Sequence, residues 1–275
     1  MPVSPFASAV ATAPETLPPP RAFGSVPADL DFDFSRSDRP FLVTELLAHC
    51  CVASVESRES LEHAAWNLPL GKRIVRLLRI IELTSEETSM AVRLECPHAQ
   101  CGQGLEMVLP FLQLMTAAGG DGDLRRIIHF PRSDGSALPL RLPTGRDQAA
   151  WQTRKYSTQE EALTAIARSL IDCPSESDLK IDEIEVLASV MEEADPLIAF
   201  HVSTRCPHCG QCAELPVDLE ACVLRHLAQR QRNLLRDVHE LATRYGWTEA
   251  EVLAVPMRRR AFYRQWILAD APMQR

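Results

Sequence analysis

Aromatic residues are scarce in this chain of 275 residues, where they make up 6 % and include only three tyrosines. An antiparallel all-β protein usually carries more aromatic and β-branched side chains, so this composition disfavours that class. No apolar run approaches the roughly 18 residues that a membrane helix needs, and we expect no membrane partner. The first ten residues carry neither a basic region nor a sustained apolar stretch, so we expect no secretory signal and a cytoplasmic protein.

Positive charge is also in short supply, because 29 lysines and arginines stand against 37 carboxylates and give a net charge of −8. Proteins that bind nucleic acid rely on neutralising phosphates, so this balance argues against a dedicated nucleic-acid binder. The sequence lacks a Gly-rich phosphate loop, an H-E-x-x-H pair and a G-x-S-x-G turn. The adjacent acids at 86–87 and 192–193 diverge and suit surface charge, so we expect no enzyme.

Leucine, alanine, arginine and glutamate are abundant, which favours helices. Hydrophobic periodicity predicts helices over 41–55, 70–83, 158–171, 180–194, 219–245, 249–255 and 256–268. Alternation predicts hairpins around 90–109 and 197–219, with short strands over 125–131 and 137–143. The sequence therefore predicts an α+β, mainly helical fold. Two helical segments each lead into a β-hairpin with a zinc-knuckle sequence, and a helical corner follows at the C-terminus.

Proline is concentrated at the N-terminus, where eight of the twenty prolines fall within the first forty residues. We predict residues 1–38 as a disordered Pro-rich tail, with a docking peptide anchored by Phe32 and Phe34 as the alternative. Residues 39–116 are predicted as a first helical segment with its Cys hairpin. Residues 117–275 are predicted as linker strands, helices, a second Cys hairpin and the C-terminal helices.

The helix predicted over 70–83 carries Lys72, Arg73, Arg76 and Arg79 opposite its apolar stripe. We interpret these four cations as a solvated face, with a surface for an acidic partner as the alternative.

Nine cysteines, an odd number without an export signal, favour metal or redox chemistry over a secreted disulfide framework. Two segments share one plan, ECPHAQCGQGLEMVLP and RCPHCGQCAELPVDL, each a strand, a Cys-Pro-His turn and a return strand. Zinc prefers four ligands, and the C-x-x-C spacing on a tight turn is that of a zinc knuckle. We therefore hypothesise one structural zinc ion that joins both hairpins through Cys96, Cys101, Cys206 and Cys209.

Other interpretations of the cysteines remain open. A C-x-x-C pair also suits thioredoxin-like redox chemistry, and the hairpins could hold without metal. His98, His208 and Cys212 are reserve ligands. The remaining cysteines are most simply small buried apolar residues, and they are Cys50, Cys51, Cys173 and Cys222.

The C-terminal segment combines a long helix, a Gly-Trp turn, a capped short helix and a basic final helix. Trp247 would pack where the short helix turns back on the long one, and Arg258, Arg259 and Arg260 would present charge outward. One interpretation is a helical corner with a solvated basic edge. The other is a docking corner in which these four residues bind an acidic partner.

Three stretches carry a resemblance to a known family. They are NLPLGKRIVRLLRIIEL with the hairpin after it, LRLPTGRDQAAW, and the segment from RCPHCGQCAELPVDL through DVHELATRYGWTEAEVLAVPMRRRAFYRQWI. The sequence resembles the baseplate hub or hub-assembly proteins of T-even-type contractile phages, and more closely their relatives in phage-like contractile injection systems. The resemblance covers most of residues 40–268. Such relatives carry C-P-x-C-G in the knuckle, which this chain keeps at 206–210 and lengthens by two residues at 96–102.

The resemblance implies a non-enzymatic role in building or completing the baseplate of a contractile tail, as a hub component or a hub-assembly chaperone. Its partners would be baseplate, hub and spike proteins. The protein would act in the cytoplasm at the assembly site or be incorporated in the phage tail or injection particle. The alternative is a zinc-ribbon protein that binds nucleic acid or acts in transcription, which a steep salt dependence of DNA binding would support.

Overall fold

A computed structural model of the chain describes residues 17–52, 57–85, 87–118, 127–132, 135–171 and 181–270. Over these residues the fold is α+β and mainly helical, as the sequence predicts, with three separate two-stranded antiparallel sheets. The α-helices are α1 (Arg39–His49), α2 (Arg58–Asn67), α3 (Leu70–Ser85), α4 (Phe111–Ala117), α5 (Gly145–Thr153), α6 (Gln159–Ser169), α7 (Ile181–Ala194), α8 (Leu219–Tyr245), α9 (Glu249–Ala254) and α10 (Met257–Asp270). The strands are β1 (Ser89–Glu95), β2 (Gly104–Pro110), β3 (Ile127–Pro131), β4 (Ala137–Arg141), β5 (His201–Arg205) and β6 (Cys212–Pro216).

The main core lies between α1, α3 and the N-terminal half of α8. Leu46, Leu77 and Val223, one from each helix, are fully buried in it. Burying one such side chain stabilises the fold by about 1.5–3 kcal/mol. Because α8 packs against α3, the segments predicted over 39–116 and 117–275 share this core.

A second core lies between the β3–β4 hairpin and helices α6 and α7, where Phe130, Leu170 and Leu187 are buried. The predicted start of α6 is confirmed, because the Thr158 hydroxyl accepts a hydrogen bond from the Glu161 N–H at 3.1 Å. This cap satisfies one of the amides that a helix N-terminus leaves unpaired.

The prediction of a disordered tail is wrong for residues 17–38, which pack against the main core. Phe23 is buried, and its ring centroid lies 6.1 Å from that of Phe32 and 5.8 Å from that of Phe34. The two rings considered as anchors for a partner therefore pack against their own chain. Proline content misled here because proline also fixes extended backbone in ordered segments. Residues 1–16 lie outside the described part.

The carboxylate of Asp29 fixes this N-terminal segment in place. It is fully buried and accepts hydrogen bonds from the Gly24 N–H at 2.6 Å, from Arg21 at 2.7 and 2.9 Å and from His49 Nε2 at 2.7 Å. Burial raises the pKa of Asp29, but the hydrogen bonds from His49 and Arg21 outweigh it and hold the pKa well below its usual range. Gln231 of α8 completes the attachment by donating to the Phe32 carbonyl at 2.8 Å.

The basic stripe predicted as a solvated face is solvated only in part, because Arg79 is exposed as predicted but Arg73 is not. Arg73 is fully buried, and its guanidinium donates to the carbonyl oxygens of Pro40 and Ala65, both at 2.8 Å. Burial lowers the pKa of Arg73 to about 10, against the opposing effect of the Glu220 charge. Arg76 is half-buried and donates to two carbonyls of the N-terminal segment. The periodic pattern could not reveal this, because carbonyls of other segments of the chain accept hydrogen bonds from Arg73 and Arg76.

Helix α3 starts at a close contact with the end of α7. The Gly71 N–H donates to Asp195 Oδ2 at 2.9 Å, and Asp195 is buried, which raises the pKa of its carboxyl group. A Cβ atom on Gly71 would lie 1.8 Å from Asp195 Oδ1. Any side chain at this position would therefore displace the Asp195 carboxylate.

Gly71→Ala should destabilise the fold by about 1–3 kcal/mol, because the added methyl group must push Asp195 away. A loss of stability would be informative, because replacing glycine by alanine in a helix normally stabilises the fold by about 1 kcal/mol. Unfolding in urea measures the change. Gly104→Ala is the matched control, because nothing lies within 4 Å of its added Cβ. An unchanged urea midpoint for Gly71→Ala would contradict this prediction, because it would show that Asp195 moves aside without a loss of stability.

Asp29→Asn should destabilise the fold by about 3 kcal/mol at pH 7, because it removes the buried charge that Arg21 pairs with. The folded pKa of Asp29 is depressed, so its stabilisation is present above its unfolded pKa of about 3.9 and is lost as pH falls below that value. The difference in the free energy of unfolding between the parent and the variant, measured by urea unfolding, should therefore decrease from pH 5 to pH 3. Asp31→Asn, at an exposed carboxylate two residues on, should match the parent.

Candidate metal centre

The two Cys hairpins are built alike, as their shared sequence plan predicts. Each turn is closed where the first cysteine follows its strand: the Cys96 N–H donates to the Gln103 carbonyl and the Cys206 N–H to the Gln211 carbonyl, both at 2.9 Å. Each strand pair then leads through a proline into a helix, α4 after β2 and α8 after β6. The repeat therefore extends from the sequence to the local backbone.

Glycines shape both turns. Gly102 has a φ of +56° and Gly210 a φ of +74°, in the left-handed region that glycine adopts without a Cβ clash. In the second turn the Gly210 N–H donates to the Cys206 carbonyl at 2.9 Å. In the first turn the two extra residues are accommodated by a bond from the Cys101 N–H to the His98 carbonyl at 2.8 Å.

The structure brings the four predicted cysteines together. The Sγ atoms of Cys96, Cys101, Cys206 and Cys209 all lie within 4.8 Å of one another. Two of these pairs cross between hairpins, with Cys96 Sγ 3.8 Å from Cys209 Sγ and Cys101 Sγ 3.8 Å from Cys206 Sγ. All four are free cysteines. A metal ion with bonds of about 2.3 Å to four tetrahedral sulfurs sets neighbouring sulfurs about 3.8 Å apart, so the cluster can hold one metal ion.

Burial differs from one sulfur ligand to the next. Cys206 is fully buried and Cys96 nearly so, whereas Cys209 is exposed. Leu105 and Leu215, one from each hairpin, are buried against the cluster and form a small core of their own. The cluster is therefore covered on the side of the strands and open to solvent at Cys209.

The electrostatics of the cluster favour a cation. Backbone N–H groups of Cys209 and His208 lower the pKa of Cys206 to about 6, in spite of burial. At Cys96 the N–H of His98 lowers the pKa, but burial and the neighbouring sulfurs outweigh it and raise the pKa to about 12. Four sulfurs this close cannot all ionise alone. A bound metal ion would remove that conflict, since a coordinating thiol loses its proton.

The other cysteines and the reserve ligands lie outside this cluster. Among the described residues, the group that could hold a metal contains neither Cys212 nor the histidines His98 and His208. His98 Nε2 lies 3.3 Å from the Cys212 carbonyl and so links the two hairpins. Cys50 and Cys51 are buried as predicted and Cys222 is half-buried, while Cys173 lies outside the described part.

The candidate partner-binding residues lie at the far end of α8. Trp247 is half-buried and stacks on Tyr245 with ring centroids 5.1 Å apart. Arg258 and Arg259 are exposed, as predicted. Arg260 does not present its charge outward, because it is 4 % exposed and its Nε lies 3.6 Å from Asp237 Oδ2. Residues two apart on a helix point about 200° apart, so Arg258 and Arg260 cannot share a face.

Two exposed aromatic residues of α10, Phe262 and Trp266, were not predicted as part of this corner. Trp266 lies 5.6 Å from Tyr263, which in turn lies 5.3 Å from Trp247. The i, i+4 spacing of Phe262 and Trp266 is visible in the sequence and places both on one helix face.

Compared with models of protein families, with curated proteins and with solved structures, the chain matches none. Among the helices that the structure describes, none is both long and apolar enough to cross a membrane.

Cys206→Ser should release the metal and lower the melting temperature by about 10 °C, because a structural metal site is coupled to folding. Metal analysis of the purified protein and thermal melting measure the two effects. Cys212→Ser is the matched control, since this exposed thiol lies outside the cluster on the same hairpin. A Cys206→Ser variant that melts like its parent would refute a stabilising metal.

Proposed function

We propose that the four cysteines hold one structural zinc ion. Four thiolates at tetrahedral spacing form a closed site, whereas catalytic zinc keeps one position open for water or substrate. The sulfur pairs Cys96–Cys209 and Cys101–Cys206 are 113 and 105 residues apart in the sequence. A zinc ion there would join two distant hairpins, and its binding energy would stabilise the fold.

We further propose that the protein is a non-enzymatic component of the baseplate hub, or a hub-assembly chaperone, of a contractile phage tail or phage-like injection system. It would act through contacts with baseplate, hub or spike proteins. The resemblance of the three stretches to that family supports this proposal. The closed donor set of the metal centre is compatible with it, because such a site consumes no substrate.

One structural observation carries the proposal furthest: the three stretches that bear the resemblance lie against one another. The Leu70 N–H of the first donates to the Pro143 carbonyl of the second at 2.9 Å. Gln148 of the second donates to Glu220 Oε1 of the third at 3.3 Å. Residues scattered over 150 positions of sequence therefore meet in one structural unit, as expected if a shared architecture underlies the resemblance.

Affinity purification of the tagged full chain from its native cells tests this function, with mass spectrometry of the partners and metal analysis of the same sample. We expect baseplate, hub or spike proteins together with about one zinc per chain. A complete particle in the eluate would identify a structural subunit, and partial complexes a chaperone. Recovery of polymerase or nucleic acid without tail proteins would contradict the proposal in favour of a zinc-ribbon protein. Cys212→Ser should retain both partners and zinc.

A further inference from the structure

Four aromatic side chains pack together where α10 contacts the end of α8, and Phe262 lies beside Tyr263 in the α10 sequence. We name this set of five residues the aromatic corner: Tyr245, Trp247, Phe262, Tyr263 and Trp266. The rings form a connected series in which Tyr245 stacks on Trp247, Trp247 meets the edge of Tyr263, and Tyr263 meets Trp266. Because each of these four rings packs against another, their positions are fixed before any partner arrives. Such preorganisation reduces the entropy cost of binding.

The aromatic corner leaves much apolar surface in contact with water. Trp266 is 58 % exposed and Phe262 56 % exposed, and both lie on one face of α10. Tyr245, at the end of α8, is also exposed. A single exposed aromatic residue needs no explanation, but a contiguous group of them marks an interaction surface. Tryptophan, tyrosine and arginine are also the residues that dominate the binding energy of protein interfaces.

The charge around the corner is opposite to that of the rest of the chain. Residues 230–270 begin at Arg230, whose charge acts on Arg260 of α10, and contain eight arginines and five carboxylates, within a protein whose net charge is −8. Asp237 and Glu240 are occupied by Arg264, with oxygen–nitrogen distances of 3.1 and 2.6 Å. Arg259 is exposed, lies one helical turn before Phe262 and forms no ion pair with any residue that the structure describes.

We propose that the aromatic corner, together with Arg259, binds an acidic segment of a partner protein. A carboxylate of that segment would pair with Arg259, and its apolar side chains would cover Phe262 and Trp266. Opposite charges on the two surfaces would favour rapid encounter and the correct register. This inference rests on the proposed function and adds the chemistry of the partner contact.

A protein segment fits this surface better than a nucleic-acid strand does. Bases stack on open ring faces, whereas Tyr245 and Trp247 lie at an interplanar angle of 28° and cover each other. Beyond residues 230–270 the chain carries a net negative charge, which would repel a phosphate backbone that extends past the corner.

Site-specific photo-crosslinking in the native cells tests the proposal. The full chain carries a benzophenone amino acid in place of Phe262, and mass spectrometry sequences the peptide that it captures. We expect a peptide of another protein in which carboxylates outnumber lysines and arginines. A neutral or basic peptide, a peptide of this chain, a nucleotide adduct or the absence of an adduct would overturn the inference. The same probe at Leu112, an exposed residue of α4, should not capture that peptide.

Two further variants show which groups hold the partner. Trp266→Ala and Arg259→Glu should each reduce the yield of the Phe262 adduct at least about tenfold, with unchanged melting temperatures because both side chains are exposed. Arg225→Glu makes the same charge change about 18 Å along α8 from Asp237, the residue that α10 contacts, and should leave the yield unchanged. Equal losses for the two arginine variants would indicate a general charge effect and overturn the local contact.

The outcomes separate this inference from the proposed function. An acidic peptide from a protein unrelated to contractile tails would support the inference and contradict the function. A tail protein that is captured through a neutral or basic peptide would support the proposed function and contradict the inference.

Discussion

A buried guanidinium organises the helices of this protein. Taking an arginine out of water costs several kcal/mol, and Arg73 recovers that cost through backbone carbonyls of α1 and α2 and through the nearby charge of Glu220 on α8. Its guanidinium also lies over the Trp66 ring, 5.6 Å from the centroid. A Cβ on Gly145 would lie 2.2 Å from this guanidinium, so the glycine of the LPTGRD segment lets α5 approach. One cation therefore fixes the relation of five helices.

The four-cysteine cluster brings together residues that are more distant in the sequence. Its two hairpins are separate sheets that share no strand pairing, and each is short for an independent unit. The small core of Leu105 and Leu215 is too limited to hold them firmly. A metal ion bound by two cysteines from each hairpin would make their pairing part of the folded state. It would also explain why both turns repeat the same backbone geometry, since each must present two sulfurs on one side.

Elements governed by local signals could be predicted from the sequence. The bounds of α8 follow from its apolar stripe and from Gly246, whose φ of +70° ends the helix. The Cys hairpins follow from strict alternation, and α9 from the capping box of Thr248 and Glu251. The sulfur cluster could also be predicted, because two short cysteine turns together supply four sulfurs, which is the number of ligands that a zinc ion prefers.

Features that depend on distant partners could not be predicted. The burial of Arg73 depends on carbonyls supplied by other helices, and Arg260 is buried because α10 lies against Asp237 of α8. Helix α2 was missed because its buried face consists of little more than Ala64 and Ala65, which give a weak periodic signal. The prediction for segment 17–38 was wrong because the order of this segment depends on Asp29. The hydrogen-bond partners of Asp29, among them Gly24 and His49, follow no periodic pattern in the sequence.

Helix α8 sets a fixed distance between the second Cys hairpin and the aromatic corner. It begins three residues after the last residue of the second Cys hairpin, Pro216, and ends at Tyr245. Its 27 residues correspond to a length of about 40 Å. Its first turns are buried in the main core through Leu219, Val223 and Leu227, and these contacts fix the orientation of the helix relative to that core. Two partner proteins, one bound at the Cys hairpins and one at the aromatic corner, would therefore be held at a defined distance from each other.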